Sequence, residues 1–253
     1  MRRALWLTPI LILLALGGRA VLAQIGPRYV VSLEAGRQAP AGPLHHGRQG
    51  RIQQVGDGLA LISYQGLNIL AVSADAAAYS ADAVRHWPAA DVLVLTPARV
   101  GRYGGLAPLA ALRGMSVVLV ESAHGGAMPS QPAGGGPRFY PLHTWDALHL
   151  RKGRTQLRVT AMPGAPGTVQ VAGFVLEIGD GRASYRMYIS CEALADEQWR
   201  ALSARLPGAD LALLPASVEH AQPTLLLLPL QQGPQVQPVP LAATGQLFSA
   251  VRR

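Results

Sequence analysis

Apolar residues along this chain fall into short runs cut by Gly and Pro, a pattern that predicts many strands and few helices. Residues 59–64 and 67–72 are two such runs on either side of Gln65-Gly66, a hairpin signal. Ser80 is placed to cap a helix over 81–86, with Asp82 in its first turn and Pro88 closing it. Residues 91–96 form a continuous apolar run of strand length, suited to a strand covered on both faces. A polar loop leads into Gly104-Gly105, a helix is predicted over 106–112, and 116–120 is a further buried strand, so this stretch predicts a βαβ unit.

After a Gly/Pro-rich loop at 125–137, strands are predicted at 156–161, 169–178 and 184–190. A helix over 195–206 places Trp199, Leu202 and Leu206 on one face and stops at Pro207-Gly208; strands at 211–214 and 225–230 follow. Residues 52–121 and 156–232 are thus expected to form two β-rich halves packed face to face.

The first residues carry an address. Arg2 and Arg3 precede a nearly unbroken apolar run to Leu16, and Val21-Leu22-Ala23 supplies small residues for cleavage. This is the order of a secretory signal peptide, with a run shorter than the roughly 20 residues a spanning helix needs. The organisation read from the sequence is a signal peptide at 1–23, a flexible lead-in at 24–50 and one domain at 51–253. The expected location is periplasmic or secreted, with membrane contact only through an uncleaved N-terminal segment.

The whole chain holds 22 basic and 14 acidic residues, a net charge of +8. Loss of Arg2, Arg3 and Arg19 with the signal segment leaves a net of +5, nearly all of it arginine, since Lys152 is the sole lysine. An excess of this size favours anionic ligands. No dense basic helix or basic–aromatic repeat marks a nucleic-acid binder, so no nucleic acid is expected. The one cysteine, Cys191, permits no intramolecular disulfide. The seven histidines are scattered without HxH or HxxxH spacing and predict no metal pair.

Several strings, in order, resemble the metallo-β-lactamase superfamily. Val55-Gly56-Asp57-Gly58-Leu59 resembles its early turn, residues 91–96 its metal-bearing strand, and Gly104-Gly105-Leu106 the glycines opening the next helix. Residues 163–168 resemble its Pro-Gly-His-Thr-Pro-Gly turn, 188–192 the strand that ends in a bridging Asp, and 228–231 the last strand, normally closed by a His. The resemblance implies an α+β fold, αββα, a four-layer sandwich of two β-sheets flanked by helices. It also implies where two metal ions would sit. At the positions of the HxHxDH motif this chain has Pro97, Ala98, Arg99, Val100, Gly101 and Arg102, and at the later ligand positions Ala165, Glu192 and Gln231.

Of these only Glu192 resembles its counterpart chemically, because guanidiniums stay protonated and cannot ligate a divalent cation. The resemblance therefore implies a member without a competent metal centre: no metal, no cofactor and no catalytic residue, and a binding or accessory role. The partner is unknown, and an anionic small molecule is one candidate. Arg99 and Arg102, before the amides of Gly104 and Gly105, are candidate anion-binding residues; pairing with Asp57, Asp75 or Glu192 is the other use of the same arginines. A divergent hydrolase working around Glu192 and Cys191 is the alternative function, and a different α/β domain the alternative fold.

Overall fold

The computed structural model describes residues 27–33, 48–73, 79–96, 106–121, 135–164, 168, 170–216, 225–231 and 236–253. These residues form two mixed sheets. The seven-stranded sheet contains β2 (Gln49–Gly56), β3 (Leu59–Tyr64), β4 (Leu67–Ser73), β5 (Val92–Thr96), β6 (Ser116–Val120), β7 (Arg138–Leu142) and β15 (Gln246–Ser249), in the order β15-β2-β3-β4-β5-β6-β7. The eight-stranded sheet contains β1 (Tyr29–Leu33), β8 (Ala147–Lys152), β9 (Thr155–Pro163), β10 (Val171–Gly179), β11 (Ser184–Ser190), β12 (Leu211–Pro215), β13 (Leu225–Pro229) and β14 (Val239–Pro240), joined in that order.

The expected hairpin is present, and its turn carries positive φ at both Gln65 (45°) and Gly66 (80°), the backbone twist that a two-residue connection requires. Strands β4, β5, β6 and β7 pair in parallel, as do β11 and β12. Both expected halves exist, each extended by strands from outside its bounds: β7 and β15 join the first sheet, and β1, β8 and β14 the second.

The core lies between the sheets. Ile62, Ile69, Val94 and Val118 from one face meet Leu150, Val159, Phe174 and Leu213 from the other. The intervening residues of β4 to β6, such as Leu70, Leu93 and Leu119, are buried on the opposite face of the same strands. That double burial is why these strands read as unbroken apolar runs.

Three expected helices differ from the structure. The 81–86 helix is a 3-10 turn, Ala83–His86, and the 106–112 helix is another, Ala107–Ala111. Each lies in a crossover between parallel strands, and both cover the outer face of the seven-stranded sheet through Val84 and Leu109. The 195–206 helix is interrupted at Ala201 into Asp196–Arg200 and Leu202–Arg205; Trp199 and Leu202 pack on Ala212 and Leu228 of the eight-stranded sheet. The sequence pattern also passed over β1, β7 and β8. Val31 of β1 faces the core, so this part of the 24–50 lead-in is held in the sheet. Pro141 is tolerated in β7 because that strand is an edge.

An ion pair and an aromatic stack are among the contacts that bind the sheets to each other. Lys152, at the end of β8, places its Nζ 2.8 Å from both carboxylate oxygens of Asp91 and 2.7 Å from the Gly66 carbonyl oxygen. The two side chains are only 12% and 14% exposed. Phe248 of β15 stacks on Tyr64 of one sheet and on Tyr185 of the other, with ring centroids 6.1 and 4.5 Å apart. Its ring lies over Gly50, where an added Cβ would come within 2.2 Å of it.

Removing one member of a half-buried ion pair leaves the other short of partners. Lys152→Met should therefore cost about 1.5–3 kcal/mol, and the double change Lys152→Met/Asp91→Asn should recover part of that loss. Denaturant unfolding of the three proteins measures both.

Candidate functional site

Because β4, β5, β6 and β7 are parallel, their carboxyl ends emerge at one edge of the seven-stranded sheet. The ends of β11 and β12 reach the same edge from the facing sheet. Ser73, Thr96, Ser190, Pro215 and Leu225 line one small cavity there, together with Gly58 from the β2–β3 turn. This edge is where the sequence resemblance locates its metal ions.

The cavity is about 10 Å³, at the lower limit for a single water. The hydroxyls of Thr96 and Ser190 are already engaged. Thr96 Oγ1 donates to the Val72 carbonyl at 2.9 Å. Ser190 Oγ donates to the Glu192 carbonyl at 2.7 Å and accepts from the Glu192 amide at 3.4 Å.

The resemblance implies a dinuclear metal centre, which the donor set here does not fit. Among the described residues no three His, Cys, Asp or Glu side chains stand close enough to hold a metal ion. Glu192 follows Ser190 at this edge with its side chain exposed. Gln231 is elsewhere: β13 runs antiparallel to β12, with Pro229 beside Leu211 and Leu211 beside Met187. Gln231 therefore lies at the start of β11, roughly 20 Å along the strand direction from Glu192. Its side-chain amide donates to Asp210. The Arg186 amide and the Arg253 guanidinium bond to the same carboxylate. Pro97, Arg99, Gly101, Arg102, Gly104, Gly105 and Ala165 lie outside the described residues.

Cys191 is buried in the core between the sheets. Burial first, and then the charge of Glu192, push its thiol well above the ordinary range. A thiol kept neutral in an apolar setting is a poor nucleophile.

The same edge carries a polar cluster that the sequence pattern did not reveal. Arg28, just before β1, places Nη1 2.7 Å from Glu121 Oε2, 2.7 Å from Asp146 Oδ2 and 2.8 Å from His143 Nδ1. Glu121 follows β6, and His143 and Asp146 lie in the turn after β7, so one guanidinium gathers two carboxylates and an imidazole from the ends of neighbouring strands. The turn also holds Trp145 at a φ of 71° with 66% of its surface exposed, an unusual backbone position for a bulky residue. His149, expected in an irregular segment, is on β8. His45, His46, His124 and His220 lie outside the described residues.

No protein-family model matches the chain, and no curated protein is significantly similar to it. Solved structures similar to it are metallo-β-lactamase fold proteins. A B3 metallo-β-lactamase with an active-site glutamic acid is 18% identical, with 66% of this chain and 75% of that one covered at a TM-score of 0.39. The fold protein YhfI from Bacillus subtilis is 12% identical, covering 64% and 70% at 0.39. Zinc-bound PqqB from Methylobacterium extorquens is 12% identical, covering 64% and 68% at 0.38. Likeness this slight carries no argument about the present chain, whose description rests on its own strand order and donor set.

The Arg28 cluster sets a pH dependence. Burial alone would raise the Asp146 carboxyl, but the His143 amide and the Arg28 guanidinium outweigh it and hold the group below the usual carboxylate range. A depressed carboxyl stabilises the fold above its unfolded value of about 3.9, and that stability is lost as pH falls through the folded value. Asp146→Asn should therefore flatten the decline in melting temperature below pH 4 relative to the wild type. Arg28→Ala, measured at neutral pH, should cost about 1.5–3 kcal/mol.

Proposed function

We propose that this protein is an exported, non-catalytic binding or accessory protein on a reduced metallo-β-lactamase-like scaffold. In this reading the architecture is the four-layer αββα sandwich with its outer helices shortened to single turns. Residues 1–23 are a signal peptide and the mature domain works in the periplasm or outside the cell. One observation carries the reading: the strand ends that converge on the position of the family's metals offer Ser73, Thr96 and Ser190 around a cavity of about 10 Å³, where catalysis would need imidazoles and carboxylates around an open site.

The ligand in this reading is an anion held by Arg99, Arg102 and the amides of Gly104 and Gly105. Two guanidiniums on one short loop repel each other, so a bound phosphate or carboxylate stabilises both. Each charge-assisted contact is worth roughly 1.5–3 kcal/mol when shielded from water and little when exposed.

Elemental analysis of protein expressed in zinc-rich medium should give far less than one metal per chain. A stoichiometric metal content would return the chain to the hydrolases. Phosphate should raise the melting temperature of the wild type and do so less in Arg99→Ala/Arg102→Ala. Equal responses would remove the anion site while leaving the accessory role standing. Mass analysis of the exported protein should place its first residue after Ala23.

A further inference from the structure

We propose that the outer face of the eight-stranded sheet is a binding groove for a multivalent organic oxyanion, a small molecule carrying two or more phosphate or carboxylate groups. The groove is far from the strand-end cavity and is independent of the function proposed above.

The register lays the floor. Val30 pairs with His149, His149 with Arg158, Arg158 with Glu177, and Glu177 with Arg186, so one straight row crosses β1, β8, β9, β10 and β11. Neighbours such as Leu150, Leu157, Leu176 and Met187 point the other way, into the core. Over β11 to β13 this outer face is covered by Trp199, Leu202 and Leu206. Over β1 and β8 to β10 it opens into a cavity of about 730 Å³, within the size range of small-molecule sites.

Its charge is one-sided. Arg151, Arg158, Arg182, Arg186 and Arg253 line it, and among the described residues Glu177 is the one acidic residue doing so. That ratio of five to one exceeds the 22 to 14 of the whole chain, so the groove is more than a sample of the surface. Arg186 lies 3.3 Å from Glu177, and Arg253 is paired with Asp210. Among the described residues no carboxylate stands within ion-pair distance of Arg151, Arg158 or Arg182; Arg151 Nε donates to the Gly153 carbonyl at 3.0 Å, and the forks of Arg158 and Arg182 are left for oxyanions. His149 also lines the groove, and among the described residues its buried Nε2 has no hydrogen-bond partner. Burial first, and then the Arg158 charge, lower its pKa and keep the ring neutral.

A second cavity of about 240 Å³ shares Arg158, Glu177 and Arg186 and continues over Met162, Val175, Leu206 and Pro207. The ligand thus has room for an apolar limb beside its acidic groups.

Calorimetric titration at low ionic strength with tripolyphosphate, and separately with citrate, tests the groove and separates phosphate from carboxylate recognition. The expected result is saturable binding of at least one probe, with one equivalent remaining when Arg99 and Arg102 are both replaced by Ala. Affinity should fall by about tenfold or more in Arg158→Glu/Arg182→Glu, and measurably in the milder Arg158→Gln/Arg182→Gln. One equivalent of binding should persist in Arg99→Ala/Arg102→Ala, which removes only the separate anion site proposed above, and affinity should largely survive in Arg85→Glu/Arg138→Glu, which alters net charge equally on exposed residues off the groove. Absence of saturable binding for both probes overturns the proposal. So does equal weakening in the off-groove charge control, or loss of binding only in the Arg99/Arg102 variant.

Discussion

The structure depends on the exclusion of water between two sheet faces. Each strand that crosses this interface alternates, and the inward residues of both sheets form one continuous apolar layer from Ile52 to Phe248. Burial of this kind is non-directional, so it holds the sheets together without fixing how far each may slide over the other. Directional contacts at the margins supply that restriction. Lys152 and Asp91 join the sheets where β5 begins, Arg28 gathers Glu121 and Asp146 where β6 and β7 end, and Phe248 is stacked between Tyr64 and Tyr185. The apolar layer gives the stability, and the ionic and aromatic contacts give the alignment.

Much of this layer was legible in the sequence. The β3–β4 hairpin, the parallel β4–β5–β6 set and the long antiparallel pair β10–β11 all announce themselves by period and by turn residues. The helices were overread because apolar spacing over six or seven residues suits a 3-10 crossover as well as an α-helix. Strand β7 hides behind Pro141 and the Gly/Pro-rich stretch before it, and β1 behind the signal-like segment. Such strands are recognised by their partners, and a partner is a tertiary fact.

The candidate site was legible in what it lacks. No imidazole occupies the metal-motif positions, and that much is plain from residue identity. What the sequence could not give is which positions meet. The resemblance puts the positions of Glu192 and Gln231 in one constellation, yet the reversal of β13 relative to β12 sends them to opposite ends of the strands. The Arg28 cluster and the row from His149 to Arg186 are assembled from residues far apart in the chain, each unremarkable alone. A lone lysine or arginine in a basic sequence reads as surface until its neighbours are known.

The pairing of β15 with β2 has a consequence for how the chain is made. Strand β2 leaves the ribosome early, and β3 occupies one of its edges almost at once. Its other edge belongs to β15, which follows every other strand in the chain, and Gly50 leaves the gap that the Phe248 ring will fill. Throughout synthesis, then, the nascent chain displays an open strand edge beside an uncovered aromatic slot, the kind of surface on which a second nascent chain can pair. For this fold the hazard of misassembly is set by the interval between two strands, and it ends when Phe248 arrives.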